Sequence, residues 1–148
     1  SEDNLVESME RAKSVSDLVF VSMHAGQEYV NNPNQLQVEF ARKAIDLGAE
    51  MVIGHHPHVV QSMEKYKGKY IFYSLGNFVF DQPFSFNTKA GIMLDFTFTN
   101  QGVKEIILRP YFMHNFVQPN FAYGDLSSKI LDQLNYQIDN DPLLIYID

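Results

Sequence analysis

Three of the five histidines in this 148-residue chain fall within four residues, as His55, His56 and His58. They lie in the stretch Met51 to Val60, which reads MVIGHHPHVV. Imidazole is the commonest biological metal ligand and the commonest general acid–base near neutral pH. Pro57 biases the residue before it toward an extended conformation, and side chains two apart on an extended segment face the same way. His56 and His58 are therefore expected to point together, with His55 turned elsewhere, the weakest ligand candidate by geometry and equally suited to a hydrogen-bonding role behind the ligands. Such a pair clamps one ion or serves two neighbouring ions, with His24 arriving from a second strand end. Three histidines from two strand ends, with a coordination position left for water, is a plan for a hydrolytic metal site. The bland alternatives are a His-Pro turn with no ligand and a His24 that is simply a satisfied polar residue.

The elements that must position these groups follow from hydrophobic period and punctuation. Leu5, Val6, Met9 and Ala12 recur at helical spacing, so a helix is expected over 4–13, capped by Asp3 or Asn4. Leu18 to Met23 is a near-continuous apolar run, expected as a strand buried on both faces and ending at His24. Asn32-Pro33 signals a helix start. That helix should run to Leu47 with Leu36, Phe40, Ala41, Ala44 and Ile45 inward, and Gly48 should cap it. A second apolar strand at 51–53 follows. Residues 18–53 thus spell a right-handed βαβ crossover, and both histidine clusters lie beyond the carboxyl ends of its parallel strands, where open α/β sheets bind ligands.

The second half reads as hairpins. One is expected around Gly68, between 59–65 and 70–73, and another around Asn100-Gln101-Gly102, between 90–99 and 103–110. In the latter, Ile92, Leu94, Phe96 and Phe98 alternate with Met93, Asp95 and Thr97. The segment 112–123 is expected to be irregular, 126–138 helical with Ile130, Leu131 and Leu134 buried, and 143–147 a final strand. With neither repeat nor linker in view, residues 1–148 read as one α/β domain.

Composition narrows the function classes. A net charge of −7 with no Lys/Arg cluster argues against nucleic-acid binding and against a polybasic contact with lipid. With no cysteine, any metal must use His, Asp, Glu or Asn. No apolar run reaches the length of a membrane span. Among weaker candidates, Glu28 and Tyr29 can line the cleft beside His24, Asn77 and Asp81 can approach it from a bend, and Lys65, Lys67 and Lys69 read as a solvated hairpin tip. His114 has no nearby partner in sequence.

Three blocks in order, Met23-His24-Ala25-Gly26-Gln27-Glu28-Tyr29, then Val52 to Gln61, then Phe72 to Asp81, resemble the bacterial capsule-synthesis family of poly-γ-glutamate (CapA-type) proteins. That family is similar to the calcineurin-like metallophosphoesterases. The resemblance is clear over about residues 15–82. It implies a four-layer α/β/β/α sandwich with a two-metal centre of Mn, Fe or Zn type, in which His24, His56 and His58 are metal ligands and His55 and Glu28 act beside them in catalysis. It also implies a place in the cell envelope and an envelope polymer or phosphoester as substrate. The family usually has Trp after the first histidine, and Ala25 should leave a smaller wall there. The superfamily's Asp-x-His, Gly-Asp and Asn-His blocks are not among these 148 residues, so the chain looks like the C-terminal portion of such a domain. It is then expected to hold two metals only with an upstream half, to be inactive alone, and to associate with that half or with itself. The alternative is a non-catalytic binding or assembly subunit of envelope polymer synthesis.

Overall fold

A computed structural model of the chain describes residues 2–115 and 118–146. The elements run α1 (Glu2–Lys13), β1 (Phe20–His24), α2 (Gln35–Asp46), β2 (Met51–His55), β3 (Met63–Tyr66) and β4 (Lys69–Phe72). After a one-turn α3 (Phe86–Lys89) come β5 (Ala90–Thr99), β6 (Gly102–Asn115), β7 (Gln118–Phe121), α4 (Asp125–Leu131) and β8 (Leu144–Tyr146). The fold is α/β, and the expected parallel pair is present: β1 lies beside β2 in parallel register from Phe20↔Met51 to His24↔His55.

The first sheet has the order β1-β2-β4-β3, and the second is built on β6, with β5 along one side and β7 and β8 along the other. Strand alternation divides the first sheet's side chains between two cores. Met51, Tyr70 and Phe72 pack with Ile92, Ile106 and Leu108 of the second sheet and with Ile130, Leu131 and Leu134. Their neighbours Met23, Val52, Ile71 and Tyr73 pack with Met9 of α1 and with Ala41, Ala44 and Ile45 of α2. By the same alternation, His24 and His55 project toward the second-sheet side at the carboxyl end of their strands. Gly54 lets this end close up, because a Cβ there would lie 2.0 Å from the Tyr73 carbonyl oxygen.

Several local expectations are corrected. α1 begins by Glu2, so Asp3 and Asn4 lie inside the helix and not at its cap. The cap of α2 is Asn34, two residues past the expected Asn32, because Asn34 and Gln37 form a reciprocal capping box. The same Gln37 is 1% exposed while Leu36 is 76% exposed and Phe40 faces outward, so the buried face of α2 is rotated from the apolar reading. A buried amide displaces leucine there because Gln37 Nε2 donates to Gln61 Oε1 at 2.8 Å and its own oxygen accepts from the Asn34 N–H.

The segment expected to be irregular is strand: β6 continues to Asn115 and pairs with β7, while residues 116 and 117 lie outside the described residues. The expected helix over 126–138 stops at Leu131 and continues as two short 3₁₀ turns, with Asn135 in the left-handed region between them. Its apolar stripe is buried as expected. β8 forms, and Ile147 lies outside the described residues. A register shift between Thr97 and Phe98 breaks the alternation in β5 and leaves Phe98 exposed. The three hairpin lysines are not simply solvated: Lys65, Lys67 and Lys69 pair with Asp141, Asp46 and Glu50.

Candidate metal centre

β2 ends in Gly54-His55, and the chain then turns through His56-Pro57-His58 before Val60 bridges to Leu75. The turn is not extended. His56 has φ +99° and His58 has φ +60°, both left-handed, so the parity reasoning from Pro57 does not describe this backbone. The two rings nevertheless converge, with centroids 5.9 Å apart, and the His24 ring stands 4.9 Å from His56. Tyr29 at φ +64° is a third left-handed residue. Of the five non-glycine residues with positive φ among those described, three surround this one spot. Backbone conformations of this kind cost free energy and persist where surrounding structure enforces them.

The enforcement is visible in hydrogen bonds. The Tyr29 N–H donates to the Pro57 carbonyl at 2.8 Å, clamping the loop after β1 to the histidine turn. Beneath it, the fully buried Gln61 donates through Nε2 to the carbonyls of Val30 and Asn32. These ties bring Glu28 to the histidines. One donor atom from each of Glu28, His56 and His58 falls within 4.8 Å of the others, and Glu28 Oε1 lies 4.0 Å from His58 Nε2.

The chemistry of this donor set fits a divalent cation: two imidazoles and one carboxylate, half-buried to exposed. The orientation of His58 supports the fit. Asn77, 5% exposed, donates through Nδ2 to the Thr88 carbonyl and to Gln82 Oε1. Its Oδ1 is thereby turned to His58 Nδ1 at 2.7 Å. An amide oxygen can only accept, so Nδ1 carries a proton, and in the neutral imidazole it is Nε2, on the side of Glu28, that is left to take a metal. This is the carbonyl–imidazole arrangement that orients ligating histidines.

The candidates therefore separate. His56, His58 and Glu28 come together, with Glu28 standing as a donor beside the histidines. His24 flanks His56 from the exposed end of β1. His55 pairs in register with His24, and burial, followed by the nearby His24, holds its pKa below the usual imidazole range. Asp81 is exposed outside the group, and His114 is exposed on β6 against Phe112. Ala25 is not a wall of this centre: it packs on the helix side of the sheet and lines a cleft with Leu5, Leu36 and Phe40.

Sequence reasoning left Asn77 open between site and bend, and it did not see Gln37, Gln61 or Gln82. The pairing of Asn77 with Gly76 was the available signal, since Gly76 at φ +80° allows the bend that delivers the amide.

The family model described as "Bacterial capsule synthesis protein PGA_cap" matches residues 1–82. The chain belongs to this family. The resemblance carried by the three sequence blocks is thus borne out, and the matched PGA_cap region contains His24, Glu28, the histidine turn and Asn77.

Among curated relatives, the PGA biosynthesis protein CapA of Bacillus subtilis (strain 168) is 43% identical over 103 residues, covering 70% of this chain and 27% of that protein. The capsule biosynthesis protein CapA of Bacillus anthracis is 42% identical over 104 residues, covering 68% and 25%. A probable polyglutamine synthesis accessory protein of Mycobacterium tuberculosis is 39% identical over 69 residues, covering 47% and 18%. The chain thus spans about a quarter of the length of the two CapA relatives.

Proposed function

We propose that this chain is the C-terminal portion of a four-layer α/β/β/α metallophosphoesterase-like domain. The complete protein acts as a metal-dependent hydrolase of phosphoester or related bonds in capsule or poly-γ-glutamate-type polymer metabolism at the cell envelope. The observation that carries this reading is the convergence of His56, His58 and Glu28, with Asn77 holding His58 in the tautomer that exposes Nε2.

On this reading His56 and His58 hold a Mn, Fe or Zn ion, with His24 completing the set from the neighbouring strand. When bound, the ion supplies Lewis acidity toward water and toward a phosphoryl oxygen. Glu28 serves as a third ligand or accepts a proton from water. His55, kept neutral by burial, offers a hydrogen-bonding nitrogen at the strand end. An upstream half contributes the remaining ligands. In its favour, β1 has a free edge among the described residues, and Phe20 of β1 lies against Phe96 and Phe98 in the part of β5 beyond the stretch that Leu75 and Gly76 cover.

One observation favours the second reading, a non-catalytic binding or assembly subunit. The clustered donors among the described residues include one carboxylate, and nothing beside it bridges two ions. The test is phosphoesterase activity of the full-length protein loaded with Mn²⁺ or Zn²⁺. The hydrolase reading expects activity that His56→Ala and His58→Ala each remove. Absence of activity in a fully metal-loaded protein favours the assembly reading.

A further inference from the structure

The loop over residues 78–85 puts large apolar side chains into solvent beside the histidines: Phe80 and Phe84 are both exposed, as is Tyr29 across from them. They are grouped with the metal centre. The Phe80 ring lies 4.9 Å from the His58 ring, Tyr29 lies 6.1 Å from His58, and Phe84 meets Tyr29 edge-on at 5.2 Å.

Hydrogen bonds lock this group to the ligands. Gln82 accepts from Asn77 Nδ2 at 3.2 Å and donates through Nε2 to the Tyr29 hydroxyl at 3.0 Å. Asn77 in turn holds His58. A single amide on the loop therefore ties Tyr29 and the metal-ligand imidazole into one chain, and Phe84 and Phe80 pack on these two rings.

Exposed aromatic faces cost free energy in water and are used where a flat or apolar surface is to be covered. A phosphate held through a cation at His56, His58 and Glu28 would bring whatever group it carries against these rings. Resting on the metal-site reading above, we infer that Tyr29, Phe80 and Phe84 form a ring-accepting subsite, and that the centre favours phosphomonoesters whose alcohol bears a planar or pyranose ring next to the phosphate. Gln82 is a positioning residue that holds the subsite in place.

The test uses the 148-residue chain with Zn²⁺ and compares phenyl phosphate, glucose 1-phosphate, ethyl phosphate and inorganic phosphate by saturation-transfer NMR and competition. A ring-bearing ester should bind about tenfold more tightly than ethyl phosphate, the scale of one or two aromatic contacts. Saturation should concentrate on its ring protons. Phe80→Ala and Phe84→Ala should each bring that ratio down toward one, and Phe84, at 65% exposure, can be truncated without opening the core. Comparing the phenyl and glucosyl esters tells a planar from a pyranose ring. A wild-type ratio near one, or a ratio unaltered in both variants, overturns the subsite while leaving the metal centre intact. Failure of every ligand, inorganic phosphate included, to bind in a Zn²⁺-dependent way overturns this inference together with the phosphoester reading.

Discussion

Asn77 Oδ1 stands 2.7 Å from His58 Nδ1, and the two Nδ2 bonds of the same amide leave it no other orientation. Asn77→Leu should therefore lower metal affinity by about 10–100-fold, the usual scale for losing a group that orients a ligand, while Asn77→Asp, which keeps an acceptor, should retain more. Isothermal titration of both variants checks this. Equal affinity in Asn77→Leu and wild type would remove the amide from the site.

The buried amide pair Gln37–Gln61 should behave as a structural clamp for the Glu28 loop. Gln37→Leu leaves the oxygen of Gln61 and the Asn34 N–H without partners. A loss of about 1–3 kcal/mol is expected from unsatisfied buried groups. Denaturant unfolding measures it, and backbone amide exchange should quicken over 26–34.

Asp141, almost fully buried, reports on the core between the two sheets. Burial pushes its carboxyl pKa up, but hydrogen bonds from Lys65, Tyr70 and Tyr136 and from the Leu143 N–H outweigh this and bring it down to about 2. The folded-state value lies below the unfolded one, so the group stabilises the fold fully above pH ~4–5. That contribution, about 2 kcal/mol, is lost as pH falls toward 2. Asp141→Asn should flatten this part of the stability–pH curve, as read from urea midpoints between pH 2 and 6.

How much of this was legible beforehand differs by level. The βαβ unit was, because apolar runs ending at His24 and Gly54 and the Asn-Pro and Gly48 punctuation are local signals. Gln37 replacing Leu36 on the buried face was not, since the amide's partner is 24 residues away and no periodicity reports it. The histidine turn was read as the site for a reason that failed in detail: Pro57 disfavours the α region before it, yet His56 occupies positive φ under the clamp of the Tyr29–Pro57 hydrogen bond. Glu28 reaches the histidines through that loop and Asn77 through the bend at Gly76, and both approaches are tertiary.

The edge of β1 has no pairing strand among the described residues, whereas β2 is interior between β1 and β4. Unpaired edges template further pairing, so the isolated chain should self-associate as concentration rises. Light scattering after size exclusion should give a mass above the 17.0 kDa of one chain. A strictly monomeric mass would count against this.

The central claim is that His56, His58 and Glu28 bind a divalent metal. Its most direct test is a calorimetric titration of the 148-residue chain with Zn²⁺, beside His56→Ala, His58→Ala and Glu28→Gln. One equivalent per chain is predicted, with affinity reduced on the order of 100-fold or more in either histidine variant and less in Glu28→Gln. Wild-type affinity in both histidine variants, or no binding to the folded wild type, would contradict it.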